Sequence, residues 1–290
     1  LEVTPKHLRL RKKYFIDLRD IFSETISDLF SRKSRVLGMT VKLIFSIIDK
    51  RLLKGAVGVN VVSEGFPDYF KQRGIDVSAW SFFPNGVDQE FIEFRAENKS
   101  NDEIEVGAAK IKTILYAGNI GSGQGLESII PKLAKQLEDG FKFVVVGGGG
   151  KELLLKEAVE REKINNVEMI GPVSRTELMV HYYKADILFL HLNDVSAFRR
   201  VLPSKIFEYA ALGKPIVAGL RGYSANFLEK QVPYASLFEP CDSEGGYKAV
   251  NRASEVVVSS EVVDQFVEKY SRESIMNKMA EHVIKLTAVL

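Results

Sequence analysis

The residues best suited to chemistry are Lys205 and Glu208, three positions apart in the run VLPSKIFEYAALGKPIVAG (201–219). Apolar residues at helical spacing predict a helix here, with Pro203 at its first position and Gly213 at its end. A lysine near a helix N-terminus suits a phosphate, because free N–H groups and the helix dipole attract anions. A carboxylate one turn further on suits a pair of sugar hydroxyls. The same spacing is equally typical of a surface ion pair on a core helix.

The elements that must position these residues alternate between strand and helix. Apolar runs predict strands at 112–117, 141–146, 167–170, 186–190 and 216–218. Amphipathic runs predict the helices between them, at 126–137, 151–163 and 174–184, the last with a capping box of Ser174 and Glu177. This alternation predicts βαβ units around a parallel sheet, and therefore an α/β fold. Ligands bind such sheets where the strands end, so we expect the loops after the strands to converge on one crevice.

Two of these loops are rich in glycine: GNIGSGQG (118–125) and GGGG (147–150). Such loops can cradle a phosphate, because the missing side chains let backbone N–H groups approach its oxygens; they can equally be tight turns. The glycines after Gly118 do not follow the GxGxxG spacing, and the loops contain no Walker lysine. A dinucleotide fingerprint and a P-loop are therefore excluded.

His191 and Asp194 follow the predicted strand that ends at Leu190, in a position where parallel sheets bind ligands. A lone histidine there is more typical of a structural role. No Ser-His-Asp or Cys-His arrangement is visible. The four histidines are too scattered to predict a metal site.

Composition and charge indicate a globular protein of one or two domains. The net charge is +2, yet residues 1–60 hold 13 Lys and Arg against 6 Asp and Glu. A basic N-terminal segment suggests an anionic neighbour, such as phosphates or a membrane surface. Alternatively, the basic residues simply form a solvated face. The single cysteine, Cys241, allows no internal disulfide, which is typical of a reducing compartment. No apolar run reaches the ~20 residues that span a bilayer.

The N-terminal third predicts a second, smaller set of elements. Strands are expected at 14–18, 55–62 and 80–83, helices at 23–30, 36–53 and 66–74, and a turn at 84–88. The helix at 36–53 could lie on a membrane interface or pack on a sheet. Residues 95–110 are polar and predict a linker, and residues 261–290 predict two helices.

Five runs carry a resemblance in their order and spacing: PNGVD (84–88), YAGNIGSGQGLES (116–128), VVVGGGG (144–150), IGPVSRTELMVHYYKADILFL (170–190) and LPSKIFEYAALGKPIVAG (202–219). They resemble GT-B glycosyltransferases of the retaining family 4 type, which includes sugar transferases of cell-surface polysaccharide and lipopolysaccharide synthesis. The resemblance covers about residues 12–290. It implies two Rossmann-like domains, the C-terminal one holding the nucleotide-sugar donor and the N-terminal one most of the acceptor site.

The resemblance also implies domain limits and an incomplete N-terminal domain. Residues 1–106 would form a partial N-terminal domain with its linker, and residues 107–262 a complete donor-binding domain. Residues 263–290 would be a C-terminal helix returning to the N-terminal domain. Judged by ordinary domain size, we expect roughly 100 or more residues of a full N-terminal domain to be absent. The exposed apolar surface would then favour self-association or a partner chain.

Several site residues carry over from the family by resemblance. Glu208 matches the glutamate that holds the ribose hydroxyls, and Ser204 and Lys205 match the helix start beside the diphosphate. The remaining matches are expected donor-binding positions in the loops after the strands: Gly118, Gly121 and Gly123 over the phosphates, Gly147 and Gly148 in the next loop, and Pro172 and Val173 at the base.

Three positions depart from the family pattern. Asn119 and Gln124, which we also expect to bind the donor, stand where the family often has basic residues. Arg200 stands where the family has the first glutamate of an E-x7-E pair. Basic charge is thus missing from the glycine loop at 118–125 and present in the loop that contains Arg200. We expect Arg200 or Lys205 to be the catalytic group that neutralises the leaving diphosphate.

The resemblance implies transfer of a sugar with retention from a nucleotide-sugar, expected to be UDP-linked, to a glycan or lipid-linked acceptor. It implies no metal and no cofactor. The partners would be the donor, the acceptor and a membrane surface, not a nucleic acid, with the protein in the cytoplasm at the inner face of the cell membrane. Two alternatives remain: an inactive or partner-dependent nucleotide-sugar-binding fragment, and an enzyme similar to UDP-N-acetylglucosamine 2-epimerase.

Overall fold

A computed structural model describes residues 13–21, 35–98, 111–138 and 140–288 of the chain. The short helix predicted at 23–30, the domain boundary predicted at 106 and most of the predicted linker lie outside these residues. Contacts divide the chain into two compact units. The first comprises Leu1–Gly86, Arg200–Leu202 and Arg272–Leu290, and the second comprises Val87–Arg199 and Pro203–Ser271.

The first unit is built on a parallel three-stranded sheet in the order β1-β2-β3. Its elements up to Gly86 are β1 (Phe15–Leu18), α1 (Arg35–Gly55), β2 (Gly58–Val61), α2 (Phe66–Lys71) and β3 (Ser81–Phe82). Apolar side chains of β1 and β2 pack with α2 into one core, which includes Ile16, Val59 and Phe66. The three predicted strands and both helices are confirmed in kind.

The limits of four of these elements, two helices and two strands, were predicted wrongly. Helix α1 continues to Gly55, and β2 begins only at Gly58, where the backbone enters the register with β1. Helix α2 ends at Lys71 instead of residue 74, and β3 is only two residues long. The limits of the two strands follow from their pairing with a neighbouring strand, which local sequence does not encode.

The second unit is built on a parallel six-stranded sheet in the order β6-β5-β4-β7-β8-β9. Its strands are β4 (Lys112–Ala117), β5 (Phe141–Val146), β6 (Val167–Ile170), β7 (Ile187–His191), β8 (Ile216–Gly219) and β9 (Ala235–Phe238). Its helices are α3 (Gln89–Asn98), α4 (Leu126–Gln136), α5 (Glu152–Arg161), α6 (Arg175–Lys184), α7 (Lys205–Leu212), α8 (Tyr223–Gln231), α9 (Ser243–Glu255) and α10 (Ser260–Tyr270). A single 3-10 turn covers Ser196–Arg199, and α11 (Arg272–Ala288) belongs to the first unit.

This strand order places a topological switch between β4 and β7. From β4 the chain moves outward to β5 and β6, then returns to β7 on the other side of β4 and continues outward to β9. At such a switch the two neighbouring loops leave in opposite directions and open a crevice at the strands' carboxyl ends. The core beneath is apolar and buried, with Ile114, Phe143 and Phe189 among its members.

Most strands and helices predicted for this unit are confirmed, including three strands with the predicted limits, at 112–117, 141–146 and 167–170. The capping box of Ser174 and Glu177 is present at the start of α6. The strand predicted at 186–190 is shifted by one residue, to 187–191.

Two predictions for this unit were wrong. Residues 95–98 belong to α3 rather than to a linker, because Arg95 forms an ion pair with Asp264 and donates hydrogen bonds to Ser260. Pro203 is not the first helical residue of α7. Its carbonyl accepts a hydrogen bond from the Ile206 N–H, a tight turn that precedes the helix start at Lys205.

Within the described residues, every helix is too short or too polar to cross a lipid bilayer.

Candidate functional site

Lys205 and Glu208 lie in the first turn of α7, on the crossover that joins β7 to β8. Lys205 Nζ lies 3.6 Å from Glu208 Oε2, and the two side chains are 23% and 19% exposed. They are therefore partly buried yet open to solvent, so each could exchange its partner for a ligand. The ion pair expected from their spacing is present, and a role in binding is compatible with it.

The lysine side chain reaches the carboxyl end of β4. Lys205 Cε lies 3.2 Å from the point where Gly118 would carry a β-carbon. Gly118 has a φ of +148°, which L side chains rarely adopt, so both space and backbone favour glycine. The start of α7 and the end of β4 thus meet at the switch point, where the topology predicts a ligand crevice.

Three buried tyrosines lie beside Lys205, Glu208 and Gly118. The Tyr182 hydroxyl donates to Glu208 Oε2 at 3.4 Å, and the Lys205 ammonium lies 5.5 Å from the centre of the Tyr209 ring. The Tyr116 hydroxyl donates to the Asn119 carbonyl at 2.6 Å. Burial raises the pKa of all three hydroxyls above the ordinary value of 10.0, so they stay protonated at alkaline as well as neutral pH. No role was predicted for these tyrosines, because each lies inside a strand or helix as an ordinary core aromatic residue would.

The two glycine-rich loops contact each other. The Ile120 N–H donates to the Gly148 carbonyl at 2.9 Å, and the Lys151 N–H donates to the Ile120 carbonyl at 2.8 Å. A β-carbon on Gly147 would collide with the Gly118 carbonyl oxygen. Glycine is therefore needed here for close approach of two backbones, so the loops predicted to converge do so.

Asn119 and Gln124 are tied to each other inside their loop. Gln124 Oε1 accepts hydrogen bonds from Asn119 Nδ2 at 3.1 Å and from the Gly121 N–H at 3.2 Å. The two amides standing in place of basic residues thus fix the loop conformation. The Gly121 N–H, expected to face a phosphate, already has a partner within the loop.

The other predicted positions lie on the rim of the same loops. A β-carbon on Gly123 would lie 2.9 Å from the Phe198 ring, which packs against it from the 3-10 turn. A β-carbon on Gly148 would lie 3.3 Å from Pro172, so the loops after β5 and β6 are adjacent. Pro172 is exposed and Val173 is half-buried. Ser204 is exposed at the N-cap of α7, where its side chain makes no capping hydrogen bond.

Arg200 is built into the first unit, whereas Lys205 belongs to the second. The Arg200 guanidinium lies 5.2 Å from the centre of the Tyr69 ring, and its carbonyl accepts a hydrogen bond from the Ser63 hydroxyl. A β-carbon on Gly65 would collide with the Arg200 backbone. A role of Arg200 at the diphosphate stays a prediction.

His191 has a structural place, at the end of β7. Its Nε2 accepts a hydrogen bond from the Cys241 N–H at 2.9 Å, so its Nδ1 carries the proton and donates to the Gln124 carbonyl at 2.6 Å. Burial lowers its pKa below the ordinary value of 6.5, which favours this neutral form. The ring therefore links the glycine loop after β4 to the loop after β9. Neighbouring Asp194 instead forms surface ion pairs with Arg199 and Arg221, both at 2.9 Å.

Arg175 is a further charged residue close enough to Glu208 to interact with it electrostatically. It forms an ion pair with Glu90 at 2.6 Å and lies 3.6 Å from Asp88. The hydrogen bond that Arg175 donates to Glu90 raises the pKa of the guanidinium, and the negative charge of Glu208 adds to the effect. Within the part of the chain that the structure describes, no group of three His, Cys, Asp or Glu side chains is arranged to hold a metal ion.

Two curated bacterial proteins are similar in sequence. The chain is 24% identical over 190 residues to WcaI of Escherichia coli strain K12, whose name assigns it to colanic acid biosynthesis as a glycosyl transferase. It is 23% identical over 237 residues to the lipopolysaccharide 1,2-N-acetylglucosaminetransferase of Salmonella typhimurium strain LT2. The matches cover 64% and 77% of this chain, but only 46% and 61% of the two relatives.

Solved structures share the fold. A crystal structure of Anabaena Alr3699/HepE in complex with UDP and glucose matches with a TM-score of 0.69 at 18% identity, over 96% of this chain and 73% of the other. A glycosyltransferase from Rickettsia africae matches with a TM-score of 0.65 at 13% identity, over 99% and 83% of the two chains. At these identities the likeness shows the fold alone, which is the predicted α/β fold of GT-B glycosyltransferases.

The family model described as glycosyl transferases group 1 matches residues 98–268, more than half of the chain. That range contains the sheet from β4 to β9, both glycine loops and the Lys205–Glu208 pair. The chain therefore belongs to the group 1 family of glycosyl transferases.

Proposed function

We propose that the second unit binds a UDP-sugar, and that the protein transfers the sugar with retention to a glycan or lipid-linked acceptor in cell-surface polysaccharide synthesis. The observation that carries this proposal is the meeting of Lys205, Glu208 and Gly118 at the switch between β4 and β7. The names of the two relatives support the biosynthetic role. The UDP bound to Anabaena HepE, which shares the fold, supports the choice of donor.

The diphosphate is assigned to the space between Gly118 and the start of α7. The helix N-terminus and the Lys205 ammonium both favour negative charge there. The absence of a side chain at Gly118 leaves room for the Lys205 side chain to lie over the end of β4. Glu208, held by the Tyr182 hydroxyl, would accept hydrogen bonds from the ribose hydroxyls.

In the proposed reaction, the acceptor hydroxyl oxygen forms a bond to the anomeric carbon on the face from which the diphosphate departs. The bond between that carbon and the diphosphate oxygen breaks, and the acceptor's proton passes to the departing phosphate. The products are the glycoside and UDP. Lys205 would stabilise the charge that develops on the leaving group, so the chain supplies positioning and electrostatics rather than a general base. No metal or cofactor is invoked.

A second candidate is a nucleotide-sugar-binding unit that lacks activity by itself. One observation favours it: neutral Asn119 and Gln124 occupy the glycine loop. Binding and turnover separate the two candidates, since both predict that UDP binds but only the first predicts that sugar is released or transferred.

Calorimetric titration with UDP tests the binding site. Lys205→Ala and Glu208→Gln should each weaken binding by about 10- to 100-fold, because each removes a hydrogen bond to a charged group worth about 1.5–3 kcal/mol. Lys142→Ala and Glu168→Gln are matched controls, since these residues form a 2.6 Å ion pair on the surface of β5 and β6. A chain that binds no UDP, or whose site variants bind it as well as the controls do, contradicts the proposal. Release of sugar from UDP-sugars then distinguishes enzyme from binding unit.

A further inference from the structure

The loop after β7 holds three consecutive carbonyls of the glycine loop after β4. The side-chain amide of Asn193 donates a hydrogen bond to the Ser122 carbonyl at 2.5 Å, and the Asn193 N–H donates to the Gly123 carbonyl at 2.9 Å. The Gln124 carbonyl accepts its hydrogen bond from His191 Nδ1 at 2.6 Å. Asn193 therefore makes two of these three contacts, one through its side chain and one through its backbone.

The orientation of the Asn193 amide is fixed by a partner on each side. Its Nδ2 faces the Ser122 carbonyl, and its Oδ1 accepts a hydrogen bond from the Cys241 thiol at 3.3 Å. The amide also lies against Gly125, where a β-carbon would collide with it. Both a donor and an acceptor are thus used, which an amide offers and an ionised carboxylate does not.

The bond from Asn193 to Ser122 also fixes the direction of the next N–H group. In a planar trans peptide the C=O and the N–H point in opposite directions, so the Gly123 N–H points away from Asn193. In the part of the chain that the structure describes, this N–H donates no hydrogen bond to another protein group. Asn193 therefore orients a backbone donor that is available to a ligand.

The glycine loop needs such a donor because it carries no basic side chain. Asn119 and Gln124 stand where the family often has basic residues, and their side chains bind each other. What this loop contributes to a diphosphate has to come from uncharged N–H groups. Such groups stabilise an anion well only when they are held in place beforehand, since reorienting them costs free energy.

We propose that Asn193 is a positioning residue of the donor site, which holds the Ser122 carbonyl so that the Gly123 N–H can donate to the diphosphate of the nucleotide-sugar. This inference rests on the proposed function, because it requires a nucleotide diphosphate at the switch between β4 and β7. Asn193 acts through the glycine loop and not on the substrate itself. Its loss should therefore weaken the binding of the phosphates and spare the binding of the nucleoside.

The test compares the affinities for UDP and for uridine, measured by calorimetric titration and by ligand-observed NMR titration. Asn193→Ala should lower the affinity for UDP about three- to tenfold, the factor that corresponds to one hydrogen bond, and the affinity for uridine less than about twofold. Asn193→Asp keeps the shape of the side chain but cannot donate to the Ser122 carbonyl. It should lose at least as much affinity for UDP as Asn193→Ala does.

Asn166→Ala is the matched control for a purely structural role. Asn166 Nδ2 donates to the carbonyls of Ala134 and Phe141 at 2.9 and 3.1 Å, so this asparagine also ties two backbone segments together. It does so at the amino end of β5, away from the carboxyl ends where the donor is expected. Asn166→Ala should lower the unfolding temperature and leave the ratio of the UDP and uridine affinities unchanged.

The outcomes separate this inference from the proposed function. Equal losses of UDP and uridine affinity in Asn193→Ala overturn the inference, and so does unchanged UDP affinity in either Asn193 variant. The proposed function survives that result if Lys205→Ala still weakens UDP binding. If the unchanged chain binds no UDP, the proposed function is wrong and the role of Asn193 is wrong with it.

Discussion

Lys205 Cε lies 3.2 Å from the position that a β-carbon would occupy on Gly118. The two residues stand on opposite sides of the topological switch, one at the start of the helix after β7 and the other at the end of β4. A ligand that lies across the carboxyl ends of these two strands would therefore meet both. This relationship makes the glycine as much a part of the proposed site as the charged side chain.

The first prediction concerns Gly118→Ala. The substitution is expected to lower the free energy of unfolding by about 1–3 kcal/mol, because alanine rarely adopts the φ of +148° found there. It should also weaken UDP binding, since the new methyl group would displace Lys205. Chemical denaturation and calorimetry measure the two effects.

Gly150→Ala is the control for this substitution, because a β-carbon at Gly150 would meet no atom within 4 Å. It should change neither stability nor binding appreciably. If Gly118→Ala binds UDP as tightly as Gly150→Ala does, the proposed place of the diphosphate is wrong.

The second prediction concerns the ribose. Unchanged protein should bind UDP about tenfold more tightly than its 2′-deoxy analogue, because a hydrogen bond to a carboxylate contributes about 1.5 kcal/mol. Glu208→Gln should reduce this preference to a few-fold while still binding both nucleotides. Competition calorimetry measures the ratio, and a preference that is the same in both proteins would place the ribose elsewhere.

The third prediction is a pH dependence of stability that arises from His191. Burial lowers its pKa in the folded chain, so below the ordinary value of 6.5 the unfolded chain binds a proton that the folded chain does not. The free energy of unfolding should therefore fall as the pH falls below about 6.5. His191→Gln removes this contribution.

The measurement is the difference in free energy of unfolding between the unchanged chain and His191→Gln, taken from pH 8 downward to about 5. The difference should stay constant above pH 7 and shift in favour of the variant as the pH falls. A constant difference over the whole range would show that the ring is not held in its neutral form.

Most strands and helices of the second unit could be predicted from the periodicity of apolar residues in the sequence, for a physical reason. Strands such as Lys112–Ala117 and Phe141–Val146 end in four consecutive buried residues followed by glycine, so their carboxyl ends coincide with changes in local composition. The helix Gln89–Asn98 was not predicted because it is mostly polar; Phe91 and Phe94 fix it by packing near Tyr182 and Tyr183.

The candidate site was predicted in part. The spacing of Lys205 and Glu208 is local, so their ion pair could be expected from the sequence. The contact of Lys205 with Gly118 depends on the strand order, and the internal bonding of Asn119 with Gln124 depends on the loop conformation. Arg200 groups with the first unit through backbone contacts with Ser63 and Gly65, which no local pattern encodes.

The fourth prediction concerns the N-cap of α9. The Asp242 side chain accepts hydrogen bonds from the Glu244 and Gly245 N–H groups, both at 3.1 Å. Asp242→Ala should lower the free energy of unfolding by about 1 kcal/mol. Ser259→Ala should have little effect, because Ser259 caps α10 without a side-chain hydrogen bond. Equal losses in the two variants, measured by chemical denaturation, would contradict the assigned capping role.

A crystal structure of the chain with UDP bound tests the donor site most directly. We expect diphosphate oxygens beside Gly118 and within about 3 Å of Lys205 Nζ, and ribose hydroxyls at the same distance from the Glu208 carboxylate. UDP bound away from the β4–β7 switch, with Lys205 and Glu208 still paired only to each other, would contradict this expectation.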